Sequence, residues 1–295
     1  MLISVISPMA PVTARDRAEL LRLFDGESPR DLDAGRAFEF VARHFPEETA
    51  FEEARAHFGK TGIDLNRLSE GFRQKRMLIA DMDSTMIEQE CIDEMADHAG
   101  IGAHVAKITA RAMDGKLGFE EAMLERVSLI KGLPLAALDE VFAERITYMP
   151  GGDVLLATMR RSGAHCALVS GGFTFFTERV ASALGFDEHR ANALLHADGR
   201  LSGDVARPIL GRDAKVEALE EISARLELSP ADAIAVGDGA NDLGMLERAG
   251  MGVALHAKPS VQAECDIRIN HGDLTALLFL QGYSRSEFAS RSARN

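Results

Sequence analysis

Apolar positions along this chain follow two rhythms. Short runs at Met77–Ala80, Cys166–Val169, Ala233–Val236 and Gly252–Leu255, with Ile267–Ile269 after them, predict buried strands. Between and after them lie helical periodicities at Asp153–Arg161, Thr174–Leu184, Lys215–Leu226, Asp242–Ala249 and Leu274–Leu280. In the third of these, Val216, Leu219, Ile222 and Leu226 share one face. Leu194–Ala197 and Arg200–Val205 flank Asp198-Gly199, which predicts a hairpin. Ile92 to Arg145 reads as helix throughout, divided by Gly100, Gly115 and Gly132, with Pro134 opening the last helix. Apolar strands alternating with helices predict a parallel sheet covered on both faces.

The first 76 residues keep another pattern. Leu2–Ile6 predicts a short strand, and Thr13–Phe24 a helix with Thr13 and Asp16 as its capping box and Gly26 as its stop. Further helical segments are expected around Ala37–Phe45 and Thr49–Phe58. No chemistry-bearing constellation stands out here, so an accessory region is expected.

Composition narrows the partners. The 295 residues are 46% apolar, ordinary for a globular chain with a sizeable core. A formal net charge of -13, with no basic run to offset it, disfavours nucleic acid and anionic membrane surfaces. No stretch approaches the ~20 apolar residues of a membrane span. The start, MLISVIS, lacks the basic segment of a signal peptide. Cys91, Cys166 and Cys265 show no zinc-type spacing and fit free thiols in a reducing, cytoplasmic setting.

In parallel sheets, ligands bind beyond the carboxyl ends of the strands, so the polar residues there carry the candidate chemistry. Asp81-Met82-Asp83-Ser84-Thr85 follows the first core strand, Ser170-Gly171-Gly172 the second, and Gly237-Asp238-Gly239-Ala240-Asn241-Asp242 the third. Lys215 opens a helix. Asp81 and Asp83 would repel unless a cation joins them, and oxygen ligands of this kind suit Mg²⁺. Glycines let main chain approach a phosphate closely, and Lys215 can neutralise it. Each motif alone is an ordinary loop signal. Their combination describes a phosphate site.

In this order the motifs resemble those of the haloacid dehalogenase-like phosphatases: DxDx(T/V) at Asp81–Thr85, the strand-end Ser170, Lys215, and GDxxxD at Gly237–Asp242. The resemblance covers roughly Arg76 to Gly282. Longer stretches at Asp81–Gly100, Ile108–Pro134, Leu168–Phe173 and Val236–Leu246 are similar to the family's phosphoserine-hydrolysing members. The resemblance implies an α/β fold with a Rossmann-like parallel sheet core at residues 77–91 and 147–295. A helical cap, residues 92–146, would be inserted after the first core strand, with a small N-terminal α+β region at residues 1–76. Some members carry an amino-acid-binding regulatory domain before the core; the helical reading of residues 1–76 does not match one.

The implied activity is Mg²⁺-dependent hydrolysis of O-phosphoserine, the last step of serine synthesis, through an aspartyl-phosphate. Asp81 would be the nucleophile and Asp83 the general acid and base, with a raised pKa. Asp81, Asp83 through its main-chain carbonyl, and Asp238 would hold Mg²⁺. Ser170, Gly171, Lys215 and Asn241 would hold the phosphoryl oxygens, with Asp242 orienting Lys215 or the metal shell. Glu90 matches the residue that meets the substrate ammonium, Arg126 the one that pairs with its carboxylate, and Met113 and Phe119 those that exclude water. The motifs around the sheet would equally serve another small phosphomonoester; Glu90 and Arg126 discriminate. A catalytically silent binding protein on this fold would not need the intact acids and Lys215. A homodimer is compatible with this reading.

Overall fold

A computed structural model describes residues 1–44, 47–71, 73–113 and 116–289, the Met113 side chain excepted. The chain begins with β1 (Leu2–Ile6), α1 (Ala14–Leu23), β2 (Gly26–Asp33), β3 (Ala37–Ala42), α2 (Glu48–Gly59) and β4 (Asp64–Leu68). After β5 (Met77–Ala80) come four helices: α3 (Cys91–His98), α4 (Gly102–Met113), α5 (Phe119–Leu129) and α6 (Leu135–Arg145). Then follow α7 (Gly152–Arg161), β6 (His165–Phe173), α8 (Thr174–Leu184), β7 (Glu188–Asn192), and the hairpin β8 (Leu194–Ala197) and β9 (Arg200–Val205). The remainder is α9 (Arg212–Arg225), β10 (Ala233–Gly237), α10 (Leu243–Arg248), β11 (Met251–Leu255), α11 (Pro259–Glu264), β12 (Ile267–Ile269) and α12 (Ala276–Leu280).

The core sheet runs β12-β11-β10-β5-β6-β7, and every pairing in it is parallel. β5 and β10 are buried along their whole length, as strands covered on both faces must be. β7, Glu-His-Arg-Ala-Asn, is an edge strand and its polar sequence gave no strand signal. No helix among the described residues is long and apolar enough to cross a membrane.

In the N-terminal part the strand at Leu2–Ile6 and the helices at Thr13–Phe24 and Thr49–Phe58 form as expected, whereas the helix expected at Ala37–Phe45 does not. The four strands of this part form an antiparallel sheet ordered β2-β3-β1-β4, with α1 and α2 making a βαββαβ unit. Ala37–Ala42 is a strand: Phe38, Phe40 and Ala42 alternate with Ala37, Glu39 and Val41. Phe45, the end of the expected helix, lies outside the described residues, as does Gly115 in the cap. The Thr13 cap is present, its hydroxyl accepting from the Asp16 N–H at 3.0 Å.

One face of this sheet, through Ile3, Val5, Phe38, Phe40 and Leu65, packs with Phe24, Phe51 and Phe58 of its own helical layer. The other face sends Leu2, Ile6 and Leu68 into the same continuous apolar core as Leu277–Leu280 of α12. Buried Glu39 pairs with Arg30 (3.3 Å) and Arg73 (2.8 Å), which also donate to the carbonyls of Gly282 and Leu280.

The helices α3–α6 stand off the carboxyl ends of the core strands on a two-limbed hinge. Ile87 and Tyr148 pair across it in antiparallel fashion. The Glu88 N–H donates to the Thr147 carbonyl and the Met149 N–H to the Met86 carbonyl, both at 3.0 Å. The hairpin braces the cap: Leu201 exchanges main-chain bonds with Leu133 (2.9 Å) and Gly132 (2.8 Å). The returning limb ends at Gly151, with φ +81° and the Thr275 N and Cγ2 at 2.8 Å from where a Cβ would stand. Gly151→Ala is therefore expected to destabilise the fold by about 1–3 kcal/mol, read as a lower Tm in thermal unfolding.

Candidate active site

Register brings three strand ends level. Ala80 of β5 pairs with Leu168 of β6 on one side and Val236 of β10 on the other. Asp81, Ser170 and Asp238 consequently emerge side by side, and the Asp81 N–H donates to the Val236 carbonyl at 3.0 Å. β6 runs further than its apolar run, to Phe173, with a register break between Val169 and Phe173 that contains Ser170-Gly171-Gly172.

Lys215 reaches this point from α9, whose buried stripe is Lys215, Ala218, Leu219, Ile222 and Ser223. The lysine thus occupies an apolar-face position, its ammonium fully buried between Asp81 Oδ1 (2.6 Å) and Asp242 Oδ1 (2.5 Å). Burial pulls its pKa down, but Asp242 and Asp81 together raise it above the ordinary lysine value, so the group stays charged. Asp81 moves up, because burial and neighbouring Asp242 outweigh Lys215. Its contact with Lys215 lies off hydrogen-bonding geometry, leaving Asp81 Oδ1 a buried oxygen without a hydrogen-bond donor.

One carboxylate oxygen from each of Asp81, Asp238 and Asp242 lies within 4.8 Å of the others, and all three residues are buried. Two of the three acids share the Lys215 ammonium, the third has no ion pair with it, and Asp81 Oδ1 has no donor besides that ammonium. A hard divalent cation fits such a donor set. Asp238 Oδ1 accepts from the Thr85 hydroxyl at 3.2 Å; burial and Asp242 push its pKa to about 7.

Asp83 stands apart from that cluster. Its Oδ1 accepts from the Cys91 N–H (2.8 Å) and its Oδ2 from the Ser170 hydroxyl (3.2 Å). Burial and the Glu90 charge raise its pKa to about 6. Ser170 Oγ accepts in turn from the Gly172 N–H at 2.8 Å. Asn241 lies with its Nδ2 4.0 Å from the space above Gly171. The Phe119 ring closes on the same glycine: a Cβ at Gly171 would meet Phe119 Cζ at 2.9 Å. Phe119 also lines a cleft of about 500 Å³ with Gly118, Ile209, Gly211 and Arg212.

Glu90 sits exposed at the start of α3, its Oε1 accepting from Ser84 at 3.0 Å. Arg126, on α5, donates from Nε to the Ala122 carbonyl at 3.2 Å, and its charge is felt by Asp93 of α3. The side chain of Met113 lies outside the described residues. Sequence reading missed Asn192, which donates to the Gly171 and Leu210 carbonyls (2.9 and 3.1 Å) and accepts from the Leu210 N–H (2.7 Å). A single Asn at the end of a polar edge strand offers no pattern. Cys91 and Ser84 lie within Asp81–Gly100, but only the fold turns the N–H of one and the hydroxyl of the other onto acids.

The sequence signature of the haloacid dehalogenase-like hydrolases matches residues 78–247. A phosphoserine phosphatase of Archaeoglobus fulgidus is 43% identical over 205 residues, 70% of this chain and 59% of that protein. The chain therefore spans less than two thirds of that relative. Among solved structures, a haloacid dehalogenase family hydrolase from Salmonella enterica serovar Typhi superposes with TM-score 0.86 at 29% identity, over 95% of this chain and 97% of that one. A phospho-aspartyl intermediate analogue of phosphoserine phosphatase superposes with TM-score 0.66 at 40% identity, over 70% and 98%.

The raised carboxyls carry a sign. A folded-state pKa of about 7 for Asp238 and about 6 for Asp83, above the ordinary 3.8, means the ligand-free fold prefers the protonated acids. Their contribution is fully present below pH ~4 and is lost as pH rises through 6 to 7. In chelator-treated protein, Asp238→Asn is expected to exceed the wild type in stability at pH 8 by about 1–3 kcal/mol, the excess shrinking as pH falls and vanishing at pH ~4. Thermal unfolding at the two pH values measures this; equal differences at both would contradict it.

Proposed function

This chain belongs to the haloacid dehalogenase-like hydrolases, and on that footing we propose that it hydrolyses O-phospho-L-serine to L-serine and phosphate. The carrying observation is the separation of two acids two residues apart: Asp81 within the buried carboxylate cluster, Asp83 outside it on Ser170 and Cys91. One acid is thereby suited to attack and the other to proton transfer.

Asp81 attacks phosphorus in line, and the bond from phosphorus to the serine oxygen breaks. Asp83, with a pKa of about 6, gives its proton to the departing oxygen. It then takes a proton from the water that cleaves the aspartyl-phosphate, returning Asp81 as a carboxylate and releasing phosphate. Ser170, the Gly171 main chain, Lys215 and Asn241 hold the phosphoryl oxygens, while Asp242 keeps Lys215 aimed. Asp81 and Asp238, clustered with Asp242, would hold Mg²⁺ together with the Asp83 main-chain carbonyl, hard oxygen donors that suit the ion. When bound, the ion offsets the acids' mutual repulsion and stabilises charge on the phosphoryl oxygens.

Glu90 receives the substrate ammonium and Arg126 its carboxylate, while Met113 and Phe119 exclude water under a cap of residues 92–146. Residues 77–91 and 147–295 form the catalytic core, with 1–76 as an accessory module. The likeness to phosphoserine phosphatases supports this assignment. Three buried, unpaired cysteines support a reducing, cytoplasmic setting.

Phosphate release from L-phosphoserine, with and without Mg²⁺, tests the reading, and Asp81→Asn is expected to abolish turnover. Arg126→Ala is expected to lower kcat/KM for phosphoserine roughly 100-fold, but for p-nitrophenyl phosphate less than about threefold. Equal losses on both substrates would remove Arg126 from carboxylate recognition.

A further inference from the structure

Residues 270–275, the loop from β12 to α12, join three parts of the molecule. At their start, Asp64 of β4 accepts three successive main-chain N–H groups. Asn270 donates to Oδ1 at 2.8 Å, Gly272 to Oδ2 at 2.8 Å, and His271 to both oxygens at 3.2 and 3.1 Å. Asp64 is only 3% exposed, so these donors have little access to water as substitutes. The Gly272 carbonyl meets His256 Nε2 at 2.8 Å, tying the loop to the segment after β11. That segment also touches the cluster, through the Lys258 N–H and the Asp238 carbonyl at 3.4 Å.

At the far end, Asp273 Oδ1 accepts from the N–H and hydroxyl of Thr275, at 2.8 and 2.5 Å. Within this turn the Leu274 N–H donates to the Pro150 carbonyl at 3.0 Å. Thr275 fills the space that Gly151 leaves by having no side chain. Pro150-Gly151 directly follows Thr147–Met149, the returning limb of the cap hinge. A continuous path of covalent chain and hydrogen bonds to main-chain groups thus runs from Asp64 in the N-terminal sheet to the returning limb of the cap.

We propose that Asp64 is a positioning residue for the cap: it fixes loop 270–275, the loop fixes the returning limb, and the limb sets how the cap seats over Asp81 and Asp83. The N-terminal module thereby acts on substrate binding without touching substrate. Only the kinetic arm of the test below rests on the phosphatase reading.

The test uses the full chain. In ligand-free Asp64→Ala, hydrogen exchange at the amides of Glu88, Met149 and Leu274 is expected to quicken roughly tenfold. KM for phosphoserine is expected to rise roughly fivefold to tenfold while kcat changes less than about twofold. Glu39→Ala disturbs the same module's docking elsewhere, at Arg30 and Arg73. It is expected to lower Tm yet leave those amides and KM within about twofold of wild type. Should Asp64→Ala fail to fold, Asp64→Asn, which keeps one acceptor oxygen, carries the same comparison. Unchanged hinge amides in the Asp64 variant, or equal quickening in Glu39→Ala, overturns the proposal. Absence of phosphoserine turnover in the wild type overturns the substrate assignment instead, since exchange is measured without substrate.

Discussion

A single buried ammonium shared by too many carboxylates governs this molecule. Lys215 lies within ion-pair distance of Asp81 and Asp242, while Asp238 converges on the same point. Lys215 pairs with two of the three acids, and burying the third without an ion pair of its own is costly. The fold tolerates this because the acids stand at the carboxyl ends of β5 and β10, where a parallel sheet opens a crevice. The imbalance is a binding preference: whatever brings positive charge to the crevice relieves it.

Around this centre, the work is divided between elements. The sheet supplies the acids, Ser170 and the close-approach glycines, all held by main-chain register and therefore rigid. The cap supplies Phe119, seated directly over Gly171, and the charged groups on α3 and α5. Rigid placement suits the reacting atoms, where small errors in geometry cost rate. A movable cap suits recognition, because a site shielded from water must also open. The hinge reconciles the two needs with only a pair of short antiparallel limbs and one glycine that no other residue can replace without strain.

Most of the core was legible because burial and placement leave a mark in sequence. Strands covered on both faces are apolar runs, and polar residues directly after them are conspicuous against that background. Lys215 was less legible than its role warrants: it sits in the apolar stripe of α9, so its helix face was read from Val216, which is only half-buried. In the N-terminal sheet Leu2–Ile6 was legible as a strand, but β2, β3 and β4 were missed because they hide their period. β3 is buried on both faces by two different layers, and Glu39 is buried by arginines rather than excluded to solvent. β2 is a polar edge strand carrying Pro29, which an edge tolerates and a central strand does not. β7 and Asn192 fail for the same reason: edge residues are chosen by what they cap, which is far away in sequence.

The same edge logic explains why an accessory module communicates with the core at all. A short outermost strand such as β12 leaves main-chain groups that need partners. Here β4, joined by Arg55 of α2, provides them through side chains. Asn66 both accepts from the Arg268 N–H and donates to its carbonyl, Arg55 donates to the Asp266 carbonyl, and Asp64 covers the N–H groups that follow. Side-chain caps fix the path of the main chain they satisfy, so the module that closes the sheet edge also dictates where loop 270–275 goes. Because that loop holds Pro150, a requirement of sheet closure becomes a constraint on the hinge. No separate signalling element is needed: satisfying buried hydrogen bonds at one margin of the sheet is enough to carry structure to the other end of the crevice.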